Sequence, residues 1–235
     1  MSIEFDGIDV AANYISCGSG ASIDDLWDGG ATLLVRAYID TIDTNERRLW
    51  AKTVNWISVI NITAVNKMQI AMNFSGDNGR WNCAAPDTGT WVDIIVTYNA
   101  DSVDNNPSVY INNVSQEITE TSTPTDARDS DAASSGIVGG YGDGTYEYDG
   151  QLEDYRLVDR IITTEERALY SAGYRGPLGG EILWLSMSES RGAFTGTLTQ
   201  GTHILPDLSA NTNDGDPYNG CVLQPSKAPR YGVAV

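Results

Sequence analysis

The chain has 235 residues, with 14 basic and 32 acidic side chains, a formal net charge of −18 and a hydrophobic share of 41%. That apolar share allows a buried core and makes global disorder unexpected, and the length admits one large all-β domain or two small ones. The acidity disfavours nucleic acid and anionic membrane surfaces as partners, because both repel a chain whose few cations are scattered.

Taken in chain order, the opening MSIEFDGIDV lacks the positive and apolar regions of a secretory signal, and strand-like sequence begins at Ile3. No stretch reaches the roughly 18 consecutive apolar residues of a membrane span. Leu33, Val35, Ala37 and Ile39 follow a period of two, with Arg36 on the opposite face. Residues 49–63, carrying Trp50, Trp56, Val59, Ile60 and Ile62, read as two strands around a turn near Asn55. The period-2 pattern returns at Met68, Ile70, Met72 and Phe74, at Val92, Ile94, Val96 and Tyr98, and at Val109 and Ile111. Residues 115–135, rich in Ser, Thr, Asp and Glu, read as a solvated loop, and Gly139 through Gly144 as a turn. One short helix is expected, opened by a Thr163–Glu166 capping box and stopped at Gly173. Strands at this spacing, broken by Gly, Asn and Asp turns, predict an all-β antiparallel β-sandwich or jelly roll. Cys17, Cys83 and Cys221 are odd in number and follow no metal-ligand spacing, which fits synthesis in a reducing cytoplasm.

Five segments carry a resemblance. Phe5-Asp6-Gly7-Ile8-Asp9 with Tyr14-Ile15, the strand Thr90–Tyr98, the segment Pro107–Asn113, the closing strand Tyr148–Leu157 and the helix with Glu165–Tyr170 come in the order found in laminin-G-like domains. The chain therefore resembles that family, within the concanavalin A-like lectin and glucanase superfamily. Residues 1–175 would form the jelly roll. In residues 176–235, Ile182–Leu185 and Leu205–Asn211 resemble a segment that commonly precedes the first motif, as if the domain were circularly permuted. This last segment would complete the same sandwich, or be exchanged with a neighbouring copy.

The resemblance brings candidate chemistry. Relatives with glycosidase activity carry alternating carboxylates on one strand, and retaining hydrolysis needs two of them roughly 5–5.5 Å apart. The nearest match, Glu147-Tyr148-Asp149, is followed by Gln151, and Gly150 reads as a strand interruption, so no enzyme is expected. His203 is the single histidine, too few for a His-based metal site. Calcium is the one cofactor the resemblance offers, with Asp6, Asp9, Glu153 and Asp154 as ligands. Tyr141, Tyr146 and Tyr148, in a glycine-rich loop, could stack on a sugar as in lectins.

Similar laminin-G-like domains occur in bacteriophage virions. The expected role is thus a non-catalytic capsid decoration protein on the virion surface. It would bind the major capsid protein lattice as a homo-oligomer, expected to be a trimer, and stabilise the assembled shell by mass action. The alternative is a lectin-like module that recognises surface glycans.

Overall fold

The computed structural model describes residues 2–8, 13–42, 45–52, 58–63, 66–132, 134–143, 145–187, 196–201, 204–218 and 221–224. In chain order the strands begin β1 (Ser2–Asp6), β2 (Ile15–Ser16), β3 (Ala31–Ile39), β4 (Arg47–Lys52), β5 (Ser58–Thr63) and β6 (Lys67–Met72). They continue with β7 (Gly79–Ala84), β8 (Trp91–Tyr98), β9 (Ser108–Ile111), β10 (Val114–Ser115), β11 (Thr119–Ser122), β12 (Gly136–Val138) and β13 (Asp149–Val158). Helix α1 (Thr164–Ser171) follows, then β14 (Glu181–Leu185), β15 (Gly196–Thr197), β16 (Asp216–Pro217) and β17 (Val222–Gln224).

Two antiparallel sheets result. One runs β10-β9-β8-β3-β13-β1-β17-β15, with β14 also on β13, and the other runs β11-β7-β6-β5-β4-β12-β2-β16. Strand alternation explains why they pack face to face. Leu33, Val35 and Ala37 lie in register with Val96, Ile94 and Val92, and all six turn inward. From the other sheet Trp50, Ile62, Met68, Ile70, Met72 and Trp81 meet them in one core. The outward residues of the first sheet divide. Leu34, Ile95 and Val158 are covered by Ile162 and Tyr170 on and before α1, while Arg36 pairs with Asp93 at 3.2 Å.

The helix is bounded as expected, with Thr163 as N-cap and a complete Thr163–Glu166 capping box. Asn55, at the expected turn between β4 and β5, lies outside the described residues, as does His203. Two expectations need correction. Residues 115–135 are not wholly a solvated loop, since β11 pairs with β7 and Asp131 is buried against Lys52 and Arg128. Nor does Gly150 interrupt a strand. It pairs with Ile39 and Phe5 inside β13, at φ +141°, where a Cβ would stand 2.0 Å from the Tyr38 carbonyl oxygen. Glycine is required there by a close backbone approach within a continuous ladder.

The final segment joins both layers of its own chain. β14 pairs with β13, β17 with β1 and β15 with β17 in the first sheet, while β16 pairs with β2 in the second. All three cysteines are buried and free. Among the described residues no helix is long and apolar enough to cross a membrane.

Candidate functional site

The glycine-rich loop leads from β12 in one sheet to β13 in the other. Its base is fixed by the Tyr148 amide donating to the Gly139 carbonyl at 2.9 Å. Higher up, the Tyr141 amide donates to the Thr145 carbonyl at 3.1 Å. Between them Asp143 accepts from the Thr145 amide (3.0 Å) and hydroxyl (2.6 Å), an Asx-type closure of the turn. Tyr146 then takes a left-handed conformation, φ +58°, that a bulky side chain rarely adopts.

That conformation places the ring on Arg48. The Arg48 amide donates to the Tyr146 carbonyl at 3.1 Å, which ties the loop to β4. A bulge between Arg48 and Trp50 breaks the alternation of β4, so Trp50 enters the core while Arg48 turns to the other face. The guanidinium carbon sits 4.4 Å from the Tyr141 ring centroid and 4.0 Å from that of Tyr146, both within cation–π range. The two rings are 6.4 Å apart at 80° and half-buried, whereas the arginine side chain is fully buried. Burial pulls the Arg48 guanidinium down to about 10, against the opposing pull of Glu46, Tyr146, Tyr141 and Asp143. It therefore stays charged at neutral pH, and the rings are held on it.

A second tyrosine pair flanks the loop. Tyr14 and Tyr218 stack with centroids 4.3 Å apart at 17°, and the Tyr218 amide donates to the Tyr14 carbonyl at 2.8 Å. Gly140 lets the loop pass close, because a Cβ there would lie 3.1 Å from the Tyr14 Cβ. Burial raises the Tyr14 phenol to about 12, with Tyr218, Asp216 and Asp143 adding to it. Arg48, Tyr14 and Tyr218 escaped the sequence reading because topology alone brings residues so far apart in the chain to one place. Tyr148 leaves the candidate set for a physical reason. Its ring is fully buried, edge-on to Phe5 at 6.0 Å, and its hydroxyl donates to the Tyr38 carbonyl at 3.2 Å.

The three calcium candidates among the described residues, Asp6, Glu153 and Asp154, are each engaged by protein donors. Asp6 accepts from the Ile8 amide and the Asn13 side chain, and Asp9 lies outside the described residues. Glu153 faces Arg36 at 3.6 Å. Asp154 is taken by Arg156 at 2.9 Å, Arg175 at 3.3 Å and the Trp184 indole at 2.8 Å, a donor-rich setting hostile to a cation. Among the described residues no group of three or more His, Cys, Asp or Glu side chains could hold a metal ion. Glu147, of the expected carboxylate pair, is buried and accepts from the Asn13 amide at 2.7 Å, while Asp149 accepts from the Thr41 hydroxyl. A separate cleft of about 210 Å³ is lined by Asp28, Asp101, Asp126 and Arg128, but Arg128 is spent internally on Asp25, Asp28 and Asp131.

No protein-family model matches the chain, and no curated protein matches it. Among solved structures, a candidate carbohydrate-binding protein from Bacteroides ovatus aligns with 97% of this chain at a TM-score of 0.68 and 14% identity. The chain spans 60% of that protein's length. A heptameric SAP-like pentraxin from Limulus polyphemus aligns over 74% of this chain and 84% of its own, at a TM-score of 0.51 and 14% identity. At such identities the likeness is one of fold, and it places the two facing sheets among jelly-roll sandwiches.

Proposed function

We propose that this chain is a non-catalytic, lectin-like module that binds surface glycans through Tyr141 and Tyr146. One observation carries the reading: two half-exposed tyrosine rings are locked on a buried guanidinium at 4.4 and 4.0 Å. A sugar presents a flat C–H face and a rim of hydroxyls, and a fixed aromatic ring with polar neighbours offers the matching surface. Rings already held in place lose little freedom on binding, so more of the contact energy appears as affinity. The Bacteroides ovatus protein, itself a candidate carbohydrate-binding protein that aligns with 97% of the chain, supports the same reading.

A glycan array probed with the native chain and with Tyr141→Ala and Tyr146→Ala tests it. Binding to at least one glycan class is expected, with about tenfold loss for each substitution, the size of one aromatic contact of roughly 1.4 kcal/mol. Silence of the folded native chain across the array would sink the proposal. The capsid-decoration reading draws on the resemblance to laminin-G-like domains of bacteriophage virions, and co-sedimentation with assembled capsids is the measurement that would restore it.

A further inference from the structure

We infer that the tyrosine platform selects neutral sugars and rejects those bearing a carboxylate, a specificity that rests on the glycan-binding reading above. An acidic sugar is usually captured by a bidentate arginine whose nitrogens point at the ligand. Arg48, the cation at this platform, has no exposed side-chain surface and lies between the two rings. Among the described residues, the partly exposed charged groups that act on Arg48 and Tyr14 are acids. Asp143 is exposed at the tip of the loop, between the two tyrosines in sequence. The Glu46 carboxylate stands 4.0 Å from the Arg48 guanidinium with 39% of its side chain accessible. Asp216, half-buried, lies close enough to help raise the Tyr14 phenol.

Three carboxylates against one buried guanidinium leave the approach negative. Each unit charge about 6 Å from an incoming carboxylate weakens it about threefold at the dielectric of water, so three carboxylates offset by one guanidinium leave about tenfold at low salt. Neutral hydroxyls meet no such penalty, and the carboxylates can accept hydrogen bonds from them. Asp143 is the informative member: its Oδ1 closes the turn on Thr145, and an asparagine oxygen can do the same without the charge.

The test measures affinities for matched pairs, a neutral oligosaccharide and the same chain bearing a terminal sialic acid or a uronate in place of its hexose. The native protein is expected to favour the neutral member about tenfold at low salt, with the ratio shrinking toward one in 0.5 M sodium chloride as screening sets in. Asp143→Asn should cut the low-salt ratio about threefold, a change that a merely steric preference would not produce. Equal or tighter binding of the carboxylated members would overturn the specificity while leaving glycan binding intact. Failure of the native protein to bind either member would overturn both.

Discussion

At the scale of single residues, Asp154 shows how a carboxylate that resembles a ligand is held by structural partners. It sits in the bulge of β13 at φ +52°, and both carboxylate oxygens receive the fully buried Arg156 while Arg175 and the Trp184 indole close the remaining sides. Asp154→Ala would leave Arg156 with Glu181 at 3.5 Å as its ion partner. A cation so exposed to a dry interior costs about 3–5 kcal/mol, so a fall in Tm on the order of 10 °C is expected by calorimetry. Added EDTA is expected to leave the native Tm unchanged, which a calcium ligand at this position would not allow. Glu166 offers the opposite case, a carboxylate improved by its setting. Its bidentate pair with Arg160, then its hydrogen bonds with Thr163, lower it to about 2 against an ordinary value of about 4.3. A depressed acid stabilises the fold above its unfolded pKa and loses that contribution as pH falls through the folded one. The Tm gap between the native chain and Glu166→Gln should therefore be constant above about pH 5 and close by about pH 2. A gap that persisted unchanged at pH 2 would show that the charge contributes nothing.

At the scale of elements, what could be read from the chain is what depends on near neighbours. The capping box, a four-residue pattern, gave the helix start at Thr163 without error. Alternation gave β6, which buries one face. It also gave β3 and β8, whose alternate residues turn to the main core while Leu34 and Ile95 lie buried on the other side, so register is set by the core face. β11 was missed for the complementary reason: Thr119–Ser122 is a polar edge strand with little burial, held by ladder bonds to β7 that leave no periodic trace. Gly150 misled because glycine marks both a break and a close approach, and only the position of Tyr38 decides between them. The tyrosine platform was half legible. Three tyrosines in a glycine-rich loop were evident, but which of them point outward follows from a crossing between sheets, which buries Tyr148 beside Phe5 and leaves Tyr141 and Tyr146 on Arg48. The β4 bulge that presents Arg48 has no signature in the residues themselves.

At the scale of the whole molecule, the first and last strands of the described residues meet in one sheet. β1 lies between β13 and β17, with Ile3 opposite Leu152 on one side and Leu223 on the other, so the first strand is an interior strand only because the last one covers it. This is how a segment that resembles the usual start of such a domain can stand at its end: the ladders need the strands to be adjacent, whatever the order of connection. It also makes the closing strand a test of the architecture. Two shortened chains isolate it, one ending after Gln224 and one after Cys221. The shorter chain loses the buried Leu223 side chain, about 1.5–3 kcal/mol of apolar burial, together with the hydrogen bonds of β17 to β1. It also exposes Ser2–Glu4 as a free edge, which invites pairing with a second copy. Relative to the chain ending at Gln224, the one ending at Cys221 is expected to melt several degrees lower and to shift toward dimers in sedimentation as its concentration rises. If both shortened chains share one Tm and one sedimentation coefficient, β17 is not what closes the sheet, and the first strand must find its stability on the β13 side alone.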